Sequence, residues 1–352
     1  MIEYIPLLLF ALVFVLILIG YPVALTLGGI SVIAGIIFFD IDFFYLLSLR
    51  IYGIMNNFVL LAVPLFIFMG ITLEKSGIAE KLLETMALMF GRIKGGLAIS
   101  VIVVGAMLAA STGIVGATVV TMGLISLPTM LKRGYSPSLA TGVIASSGTL
   151  GQIIPPSVVL VLLGSVLNVS VGNLFTSALF PGLILVFLYL LYIIIISLLY
   201  PKLAPSMPEK EIIKFHEETS FFQITKAFVF PFFLIGAVLG SIFAGIASPT
   251  EAAGVGALGA LILSKSNGGL KLKVLKEIMQ ETTHLTSTVF LILIGATSFS
   301  LVFRGLEGDK VLIDLITQAN LSPNEFVILV LLIIFIAGFF IDFIEIIFII
   351  VP

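Results

Sequence analysis

Long runs of hydrophobic residues follow one another along the chain, and short polar stretches separate them. A transmembrane helix needs about 20 apolar residues, a length that several of these runs approach or exceed. Other runs are shorter, or are interrupted by Gly, Pro, Ser and Thr, so the pattern predicts hairpins and broken helices among ordinary transmembrane helices. The candidate segments are residues 5–20, 22–39, 58–73, 97–110, 114–131, 139–167, 174–200, 227–247, 252–263, 285–303 and 325–352.

The longest polar stretch lies at residues 201–226 and separates two apolar halves. It contains too few apolar residues in sequence to cross a bilayer. We therefore expect an N-terminal half at residues 1–200, a polar linker at 201–226 and a second half at 227–352.

Two shorter polar stretches show helical periodicity beside the apolar segments. In the first, Ile78, Leu82, Met86 and Met89 recur on one side of a predicted helix. The second begins at Lys271 and has a similar pattern. Each predicts either a helix lying in the membrane interface or an ordinary solvated loop helix.

The composition supports a membrane protein. Of 352 residues, 60% are hydrophobic and 10% are charged, whereas soluble domains carry about 25% charged residues. Such a chain cannot hide its apolar surface in one core, so we predict an all-α polytopic protein within the lipid bilayer. The net charge of −2 gives no sign of a nucleic-acid partner, and without Cys the chain has no disulfides or thiolate metal sites.

Three pairs of segments resemble each other in the same order along the two halves. "GYPVALTLGGISVIAG" resembles "ASPTEAAGVGALGALI", and two further pairs follow at nearly the same offset. The matched positions are Pro22 with Pro249, Gly70 with Gly295, Gly113 with Gly338 and Pro128 with Pro352. We expect a first repeat at about residues 20–167 and a second that begins near 247.

The second repeat is expected to be cut short, because the counterpart of Pro155 would fall beyond residue 352. Internal repeats of this kind are typical of secondary transporters, in which substrate and ions bind between discontinuous helices of the two halves. Helix N-termini there attract anions, while unwound carbonyls and hydroxyl oxygens coordinate Na⁺.

The first polar element within an apolar region is "AASTGIVGATVVTMG" at residues 109–123. Ser111, Thr112 and Gly113 are candidate ion- and substrate-binding residues at the tip of a re-entrant hairpin, and Thr118 follows in the same element. The alternative is a contact between helices through small residues, which can coexist with a polar tip.

The second polar element is "ASSGTLGQIIPPS" at residues 145–157. The prolines lack N–H groups and disfavour helix before them, so carbonyl groups must lose their helical partners here. Because an unsatisfied polar group is costly in lipid, the element is expected to line a site, although a simple proline kink is the alternative. The candidate ion- and substrate-binding residues are Ser146, Ser147, Gly148, Thr149, Gln152, Pro155 and Pro156.

Carboxylates mark two further elements. In "GFFIDFIEIIFIIVP", Asp342 and Glu345 are predicted to share one face of a helix, and Gly338 and Asp342 are candidates for a cation site. Glu345 is equally well explained as a pairing or interface carboxylate. Glu251, after Ser248 and before a small-residue run, is typical of a helix N-terminus and predicts a structural role, with Ser248 or its neighbour Thr250 as cap.

Five motifs in order resemble the large membrane subunit (DctM-type) of tripartite ATP-independent periplasmic (TRAP) transporters. They are "VPLFIFMG", "STGIVGATVVTMGLISLP", "GTLGQIIPPS", "SPTEAAGVGAL" and "GFFIDFIEIIFIIVP". The resemblance implies a bacterial inner-membrane protein with two inverted repeats, re-entrant hairpins and an elevator-type ion-transporter fold. It also implies a small DctQ-type membrane subunit, a periplasmic substrate-binding protein and import of organic acids, such as C4-dicarboxylates or sialic acids, driven by Na⁺. The chain departs from the family in lacking the later proline-containing element of the second half and in carrying Glu345.

The leading hypothesis is a Na⁺-coupled importer of organic anions with no cofactor besides the coupling ion. Since no Lys or Arg lies in the polar elements, the anion would meet helix N-termini and hydroxyls. One alternative is a stand-alone ion-coupled symporter or antiporter that needs no binding protein. An intramembrane enzyme or a purely structural scaffold subunit fits less well, because the two His lie far apart in polar stretches and the carboxylate at 342 lies in an apolar run.

Overall fold

The computed structural model describes residues 4–39, 42–112, 115–208 and 221–351, and every regular element in these ranges is a helix. The helices are α1 (Ile5–Ile19), α2 (Val23–Phe38), α3 (Asp42–Met55), α4 (Ala62–Lys75), α5 (Ile78–Met89), α6 (Gly96–Thr112), α7 (Val115–Lys132), α8 (Pro137–Ile153), α9 (Val158–Leu167), α10 (Val171–Leu199), α11 (Phe221–Phe243), α12 (Pro249–Ser266), α13 (Leu272–Gly305), α14 (Gly308–Gln318), α15 (Pro323–Ala337) and α16 (Phe343–Glu345). A 3₁₀ turn at Phe58–Leu61 leads into α4, and a π-helical turn at Ile346–Ile350 follows α16.

Among the described residues, three helical segments are long and apolar enough to cross a membrane by themselves: Phe58–Lys75, Val171–Leu199 and Leu272–Gly305. A fourth candidate span consists of α8 and α9, which are bent by 41° at the break between them. Several other apolar helices in the described ranges have 10–17 residues, which is short for a full crossing. The predicted mixture of full spans with shorter and broken apolar helices is therefore confirmed.

The chain forms two compact units. The first unit contains Met1–Asn57 and Leu285–Pro352, and the second contains Phe58–His284. Each unit therefore includes helices from both halves of the sequence. One buried cluster of the second unit lies among α5, α6, α7, α8 and α10, and α4 contributes further buried residues.

The core of the first unit includes α3, a helix that the hydrophobic pattern does not predict. Charged and hydroxyl residues interrupt its apolar run, so it does not resemble a transmembrane segment. Phe43 of α3 is buried with Ala34 and Val302. Its ring lies directly over Gly35, where a Cβ would come within 2.3 Å of a ring carbon. Because Gly35 has no side chain, Phe43 of α3 can pack directly against α2.

The predicted helix at the first periodic polar stretch is confirmed as α5. Ile78, Leu82 and Met86 are buried, whereas Met89 is 51% exposed. The apolar stripe packs against α6 and the other helices of the second unit. Its packing within the protein, and not the bilayer surface, therefore accounts for most of the periodic pattern.

The stretch that begins at Lys271 does not form a separate interface or loop helix, so this prediction is wrong. Leu272 begins α13, a single helix of 34 residues that continues through the apolar run to Gly305. No Gly or Pro interrupts the chain between Leu272 and Ile294, so nothing local stops the helix from propagating. The polar residues that follow Lys271 therefore form the N-terminal part of the spanning helix α13 instead of a separate helix.

Helix boundaries recur at the offset of the sequence repeat. α6 ends at Thr112 and α15 ends at Ala337, in each case at the residue before the matched glycine, Gly113 or Gly338. Pro22 immediately precedes α2, and its match Pro249 begins α12. The matched segments thus have matching starts and stops.

Two helix pairs, one in each unit, also pack in matching ways. A Cβ built on Gly256 of α12 would lie 2.6 Å from Met69 Sδ of α4. A Cβ built on Gly295 of α13 would lie 2.6 Å from the Ala24 carbonyl oxygen of α2. Gly295 is the sequence match of Gly70 in α4. In the second unit, α4 from the N-terminal half of the sequence packs against α12 from the C-terminal half. In the first unit, α13 from the C-terminal half packs against α2 from the N-terminal half.

Helices α6 and α8 approach each other closely at Gly105 and Ser147. A Cβ built on Gly105 would lie 2.5 Å from Ser147 Cβ, and Ser147 is 0% exposed. Small residues let helices pack at such short separations within a membrane. The contact fixes how α6 and α8 lie against each other.

Replacing Gly105 with Ala is expected to destabilise the protein by about 1–3 kcal/mol, because the added methyl group overpacks this contact. Gly142→Ala on α8 is the matched control, since nothing lies within 4 Å of a Cβ at that position. Thermal unfolding in detergent measures both variants. An unchanged melting temperature for Gly105→Ala would contradict the close packing of the two helices.

Candidate functional site

Helices α8 and α9 are separated by a break at residues 154–157, in the middle of an apolar run. Ile154 has an extended backbone, with φ −84° and ψ 120°, as expected for a residue before proline. Pro155 and Pro156 are both buried, and the chain bends by 41° before α9 begins at Val158. The interruption predicted from the proline pair is confirmed.

The Ser157 side chain replaces one of the hydrogen bonds that the prolines remove. Pro156 has no N–H to donate to the Gln152 carbonyl, and Ser157 Oγ donates to that oxygen at 2.7 Å instead. The same hydroxyl accepts a hydrogen bond from the Leu160 N–H at 3.5 Å and so caps α9. Ser157 is not among the candidate residues predicted from sequence, although Ser before an apolar run is an N-cap signal.

Replacing Ser157 with Ala is expected to cost about 1–3 kcal/mol of stability, because the Gln152 carbonyl loses its donor as α9 loses its cap. Ser170→Ala is the matched control, since Ser170 Oγ caps α10 by accepting from the Asn173 N–H but lies at an exposed position. We expect its cost to be about 1 kcal/mol or less. Chemical denaturation of the two variants side by side measures the difference. Equal losses would show that Ser157 acts only as a cap.

Helices α6 and α8 start from the same place and run in the same direction. The Gly95 N–H, just before α6, donates to the Ala204 carbonyl at 2.9 Å. The Ser136 N–H, just before α8, donates to the neighbouring Leu203 carbonyl at 3.0 Å. Each helix has 17 residues, or about 25 Å at 1.5 Å per residue. Since the helices start together and are equally long, they end at the same level.

Two helices end at that level, and a new helix begins within five residues of each end. Thr112 ends α6 and Ile153 ends α8, while Val115 begins α7 and Val158 begins α9. The C-terminal ends present carbonyl groups and the negative end of the helix dipole, which suit a cation. The N-terminal ends present N–H groups and the positive end, which suit a carboxylate. The two polar elements predicted from the sequence are thus brought together within one unit.

Ser146, Thr149 and Gln152 follow one another at a spacing of three on the less buried side of α8. Thr149 Oγ1 donates to the Ser146 carbonyl at 2.8 Å. Ser146 also lines a cavity of about 430 Å³, together with Tyr189 and Tyr192 of α10. These three predicted residues form a polar row that leads to the break.

Ser147 and Gly148 face the other way, into the contacts of α8 with α6 and α7. Ser147 Oγ donates to the Ile144 carbonyl at 2.9 Å within its own helix. A Cβ built on Gly148 would lie 2.3 Å from the Val119 side chain of α7. The small size of these two residues lets the hairpin of α6 and α7 pack closely against α8.

The connection between α6 and α7 falls at the predicted hairpin tip, and the two helices pack against each other. Ser111 and Thr112 form the last residues of α6, and Gly113 lies outside the described residues. Thr118 is 3% exposed on α7. α6 therefore ends and α7 begins on either side of the predicted tip, whose residues 113 and 114 lie outside the described residues.

The predicted placement of Asp342 and Glu345 on one face of a helix is wrong. α15 ends before Gly338, and Asp342 has an extended backbone and caps the short helix α16. Asp342 Oδ1 accepts from the Phe343 N–H at 2.8 Å, and Glu345 Oε2 accepts from the Asp342 N–H at 3.1 Å. Asp at the cap and Glu three residues later favour this capping box over continuation of the helix. Gly338 and Asp342 remain together at a helix break, in the first unit.

Glu251 has the structural role that its sequence context predicts. Ser248 caps α12 and Glu251 Oε2 accepts from the Ser248 N–H at 2.8 Å, which completes a capping box. Thr250, the other predicted cap, instead donates to the Phe58 carbonyl at 3.0 Å. The site is therefore built without Glu251.

Comparison with protein families gives one match over nearly the whole chain. The family described as "Tripartite ATP-independent periplasmic transporter, DctM component" matches residues 10–352. The match includes both polar elements of the second unit and the capped break of the first.

Individual relatives carry names that point to different substrates. The chain is 30% identical to the C4-dicarboxylate TRAP transporter large permease protein DctM of Pseudomonas aeruginosa over 325 residues, 92% of this chain and 74% of the relative. It is 27% identical to the ectoine TRAP transporter large permease protein TeaC of Halomonas elongata over 339 residues, 96% of this chain and 78% of the relative. It is 29% identical to the sialic acid TRAP transporter large permease protein SiaM of Vibrio cholerae over 303 residues, 85% of this chain and 69% of the relative.

Proposed function

Because the chain belongs to the DctM family of tripartite ATP-independent periplasmic (TRAP) transporter components, we propose that it is the large permease subunit of a Na⁺-coupled importer of organic acids. The family resemblance inferred from the five motifs is confirmed. Family members are transport components and not enzymes, so the expectation of a transporter is confirmed as well. The apolar helices and the family together make this a multi-pass membrane protein. For an importer that collects substrate from the periplasm, we place it in the bacterial inner membrane.

The observation that carries this proposal is the common level at which α6 and α8 end in the second unit, each followed by the start of a new helix. Carbonyl groups at the ends of α6 and α8 supply oxygen ligands of the kind that Na⁺ uses in discontinuous transporter helices. The N–H groups at the starts of α7 and α9 supply donors for a carboxylate. The proposed polar residues around this point are Ser111, Thr112, Ser146, Thr149 and Gln152. The anion is thereby held without an arginine.

We propose Gly338 and Asp342, at the break of the first unit, as further ion- and substrate-binding residues. The repeat supports this assignment, since Thr112 and Ala337 end matching helices at the offset of the repeat. We propose that the two repeats are inverted relative to each other, as is typical of secondary transporters. In this proposal the site moves across the membrane by an elevator motion.

The substrate is proposed to be a small organic anion such as a C4-dicarboxylate or a sialic acid. The C4-dicarboxylate and sialic acid relatives support this class, and the ectoine relative carries the name of a different kind of substrate. A small DctQ-type membrane subunit and a periplasmic binding protein are the proposed partners, and the binding protein would deliver the substrate.

Reconstitution of the protein with its small subunit and its periplasmic binding protein tests this assignment. Uptake of labelled succinate, sialic acid and ectoine is measured with and without the binding protein. We expect succinate or sialic acid to be taken up, and only when the binding protein is present. Uptake of equal rate without the binding protein would favour the stand-alone symporter instead.

A further inference from the structure

Glu74 is an acidic residue near the end of α4 that the proposed site does not use. It is partly buried, and Thr121 Oγ1 of α7 donates a hydrogen bond to Glu74 Oε1. α7 is the second helix of the hairpin that carries the predicted tip. The hydrogen bond therefore joins α4 to this hairpin, a connection that the sequence pattern does not reveal.

The end of α4 on which Glu74 lies is fastened to two other helices. Lys75 Nζ forms an ion pair with Glu281 Oε2 of α13 at 2.8 Å. The Ser76 carbonyl accepts from the Asn267 side-chain amide, beyond α12, at 3.5 Å. Glu74 and Lys75 are neighbours on a helix and point about 100° apart, so one side chain reaches α7 while the other reaches α13. Glu74 therefore reaches the hairpin from an end of α4 that contacts with α13 and Asn267 hold in place.

The hydrogen bond differs in kind from the apolar contacts around it. α7 packs mainly against α6 and α8, and α4 packs against α6 and α12. Apolar contacts are non-directional, and their contribution follows the apolar area that they bury. A hydrogen bond to a carboxylate depends steeply on distance and angle. The contact between Glu74 and Thr121 therefore specifies one position of the hairpin along α4.

We propose that Glu74 is a positioning residue that holds the hairpin of α6 and α7 in register with α4, through a hydrogen bond that breaks each time the hairpin moves. The inference rests on the proposed function insofar as transport requires this movement. Thr121 lies within the second turn of α7, about 9 Å along the helix axis from its first residue, Val115. Glu74 therefore acts on the position of the hairpin and does not touch the transported ions or substrate.

Distance measurement between two spin labels tests the proposal without any transport assay. Because the chain contains no Cys, labels can be placed at Leu124→Cys on α7 and Leu258→Cys on α12. Both positions are exposed, at 76% and 60%, so the labels disturb little packing. The sample is the complete protein with its small subunit in lipid nanodiscs, studied by pulsed electron spin resonance.

The parent protein is expected to give one dominant distance between the labels. Glu74→Ala and Thr121→Val, which remove the acceptor and the donor, are each expected to add a second distance population. Their combination should change the distribution no further than either alone, because both remove the same hydrogen bond. Glu74→Gln and Thr121→Ser keep an acceptor and a donor, and should restore the parent distribution.

Lys75→Met is the matched control, since it breaks the ion pair to α13 on the same end of α4 and leaves the contact with α7 in place. It should leave the distance unchanged. An unchanged distribution in Thr121→Val, or an equal shift in Lys75→Met, would overturn the proposal. Thr121→Val is nearly isosteric, so the result stands even if Glu74→Ala does not fold. Because no substrate or Na⁺ is needed, failure of the proposed transport function would leave this result intact.

Discussion

Replacing both Pro155 and Pro156 with Ala is expected to abolish uptake while leaving a folded membrane protein. Restored N–H groups at these positions can donate to the Gly151 and Gln152 carbonyls, so α8 can continue as a regular helix. The carbonyl groups proposed to meet the coupling ion would then be taken up in helical hydrogen bonds. Uptake by the reconstituted complex should fall about a hundredfold or more, equivalent to roughly 3 kcal/mol or more.

Pro137→Ala is the matched control for the double variant. Pro137 stands at the first position of α8, where the missing N–H would have no helical acceptor in any case. Uptake should stay within about twofold of the parent protein. Circular dichroism and detergent-stable size-exclusion profiles establish that both variants fold. Full transport by the Pro155/Pro156 variant would mean that the break has no role in binding.

Asp342→Asn is expected to raise the Na⁺ concentration required for half-maximal uptake about tenfold, equivalent to roughly 1.4 kcal/mol of ion binding. Asp342 is exposed at the break of the first unit and caps α16. Asn caps helices about as well as Asp, so the variant keeps the cap and removes only the charge. The measurement is the initial rate of uptake as a function of external Na⁺.

Glu345→Gln is the control that distinguishes a specific role of Asp342 in cation binding from the general effect of removing a nearby negative charge. Its amide oxygen can still accept from the Asp342 N–H, so the capping box is preserved. We expect the Na⁺ dependence to change by about twofold or less. If Asp342→Asn has no more effect on Na⁺ dependence than Glu345→Gln, Asp342 is a structural cap and belongs outside the ion site.

The break between α8 and α9 could be predicted from sequence because its cause is local. Pro155 and Pro156 remove backbone donors wherever they stand, so only their covalent structure was needed. The compensation by Ser157 could have been inferred too, since it occupies the cap position before an apolar run. The equal level of the ends of α6 and α8 could not, because it depends on Gly95 and Ser136 bonding to two adjacent carbonyls in a distant part of the chain.

The prediction that Asp342 lies on a helix face was wrong because the apolar run around it obscures a local helix-capping signal. The run around Asp342 and Glu345 reads as continuous helix, and a spacing of three then places both on one face. The same spacing is that of a cap and its third helical residue, which is the pairing that forms. The contact between Glu74 and Thr121 could not be predicted from sequence, because it joins two helices that are distant in the chain.

Transport in proteoliposomes tests whether uptake is coupled to Na⁺. The complete complex is reconstituted with its binding protein and the acid it takes up, and initial uptake is recorded with and without an inward Na⁺ gradient at zero membrane potential. Accumulation is expected to require the gradient and to stop when internal and external Na⁺ are equal. Uptake that is unchanged when the Na⁺ gradient is abolished would contradict it.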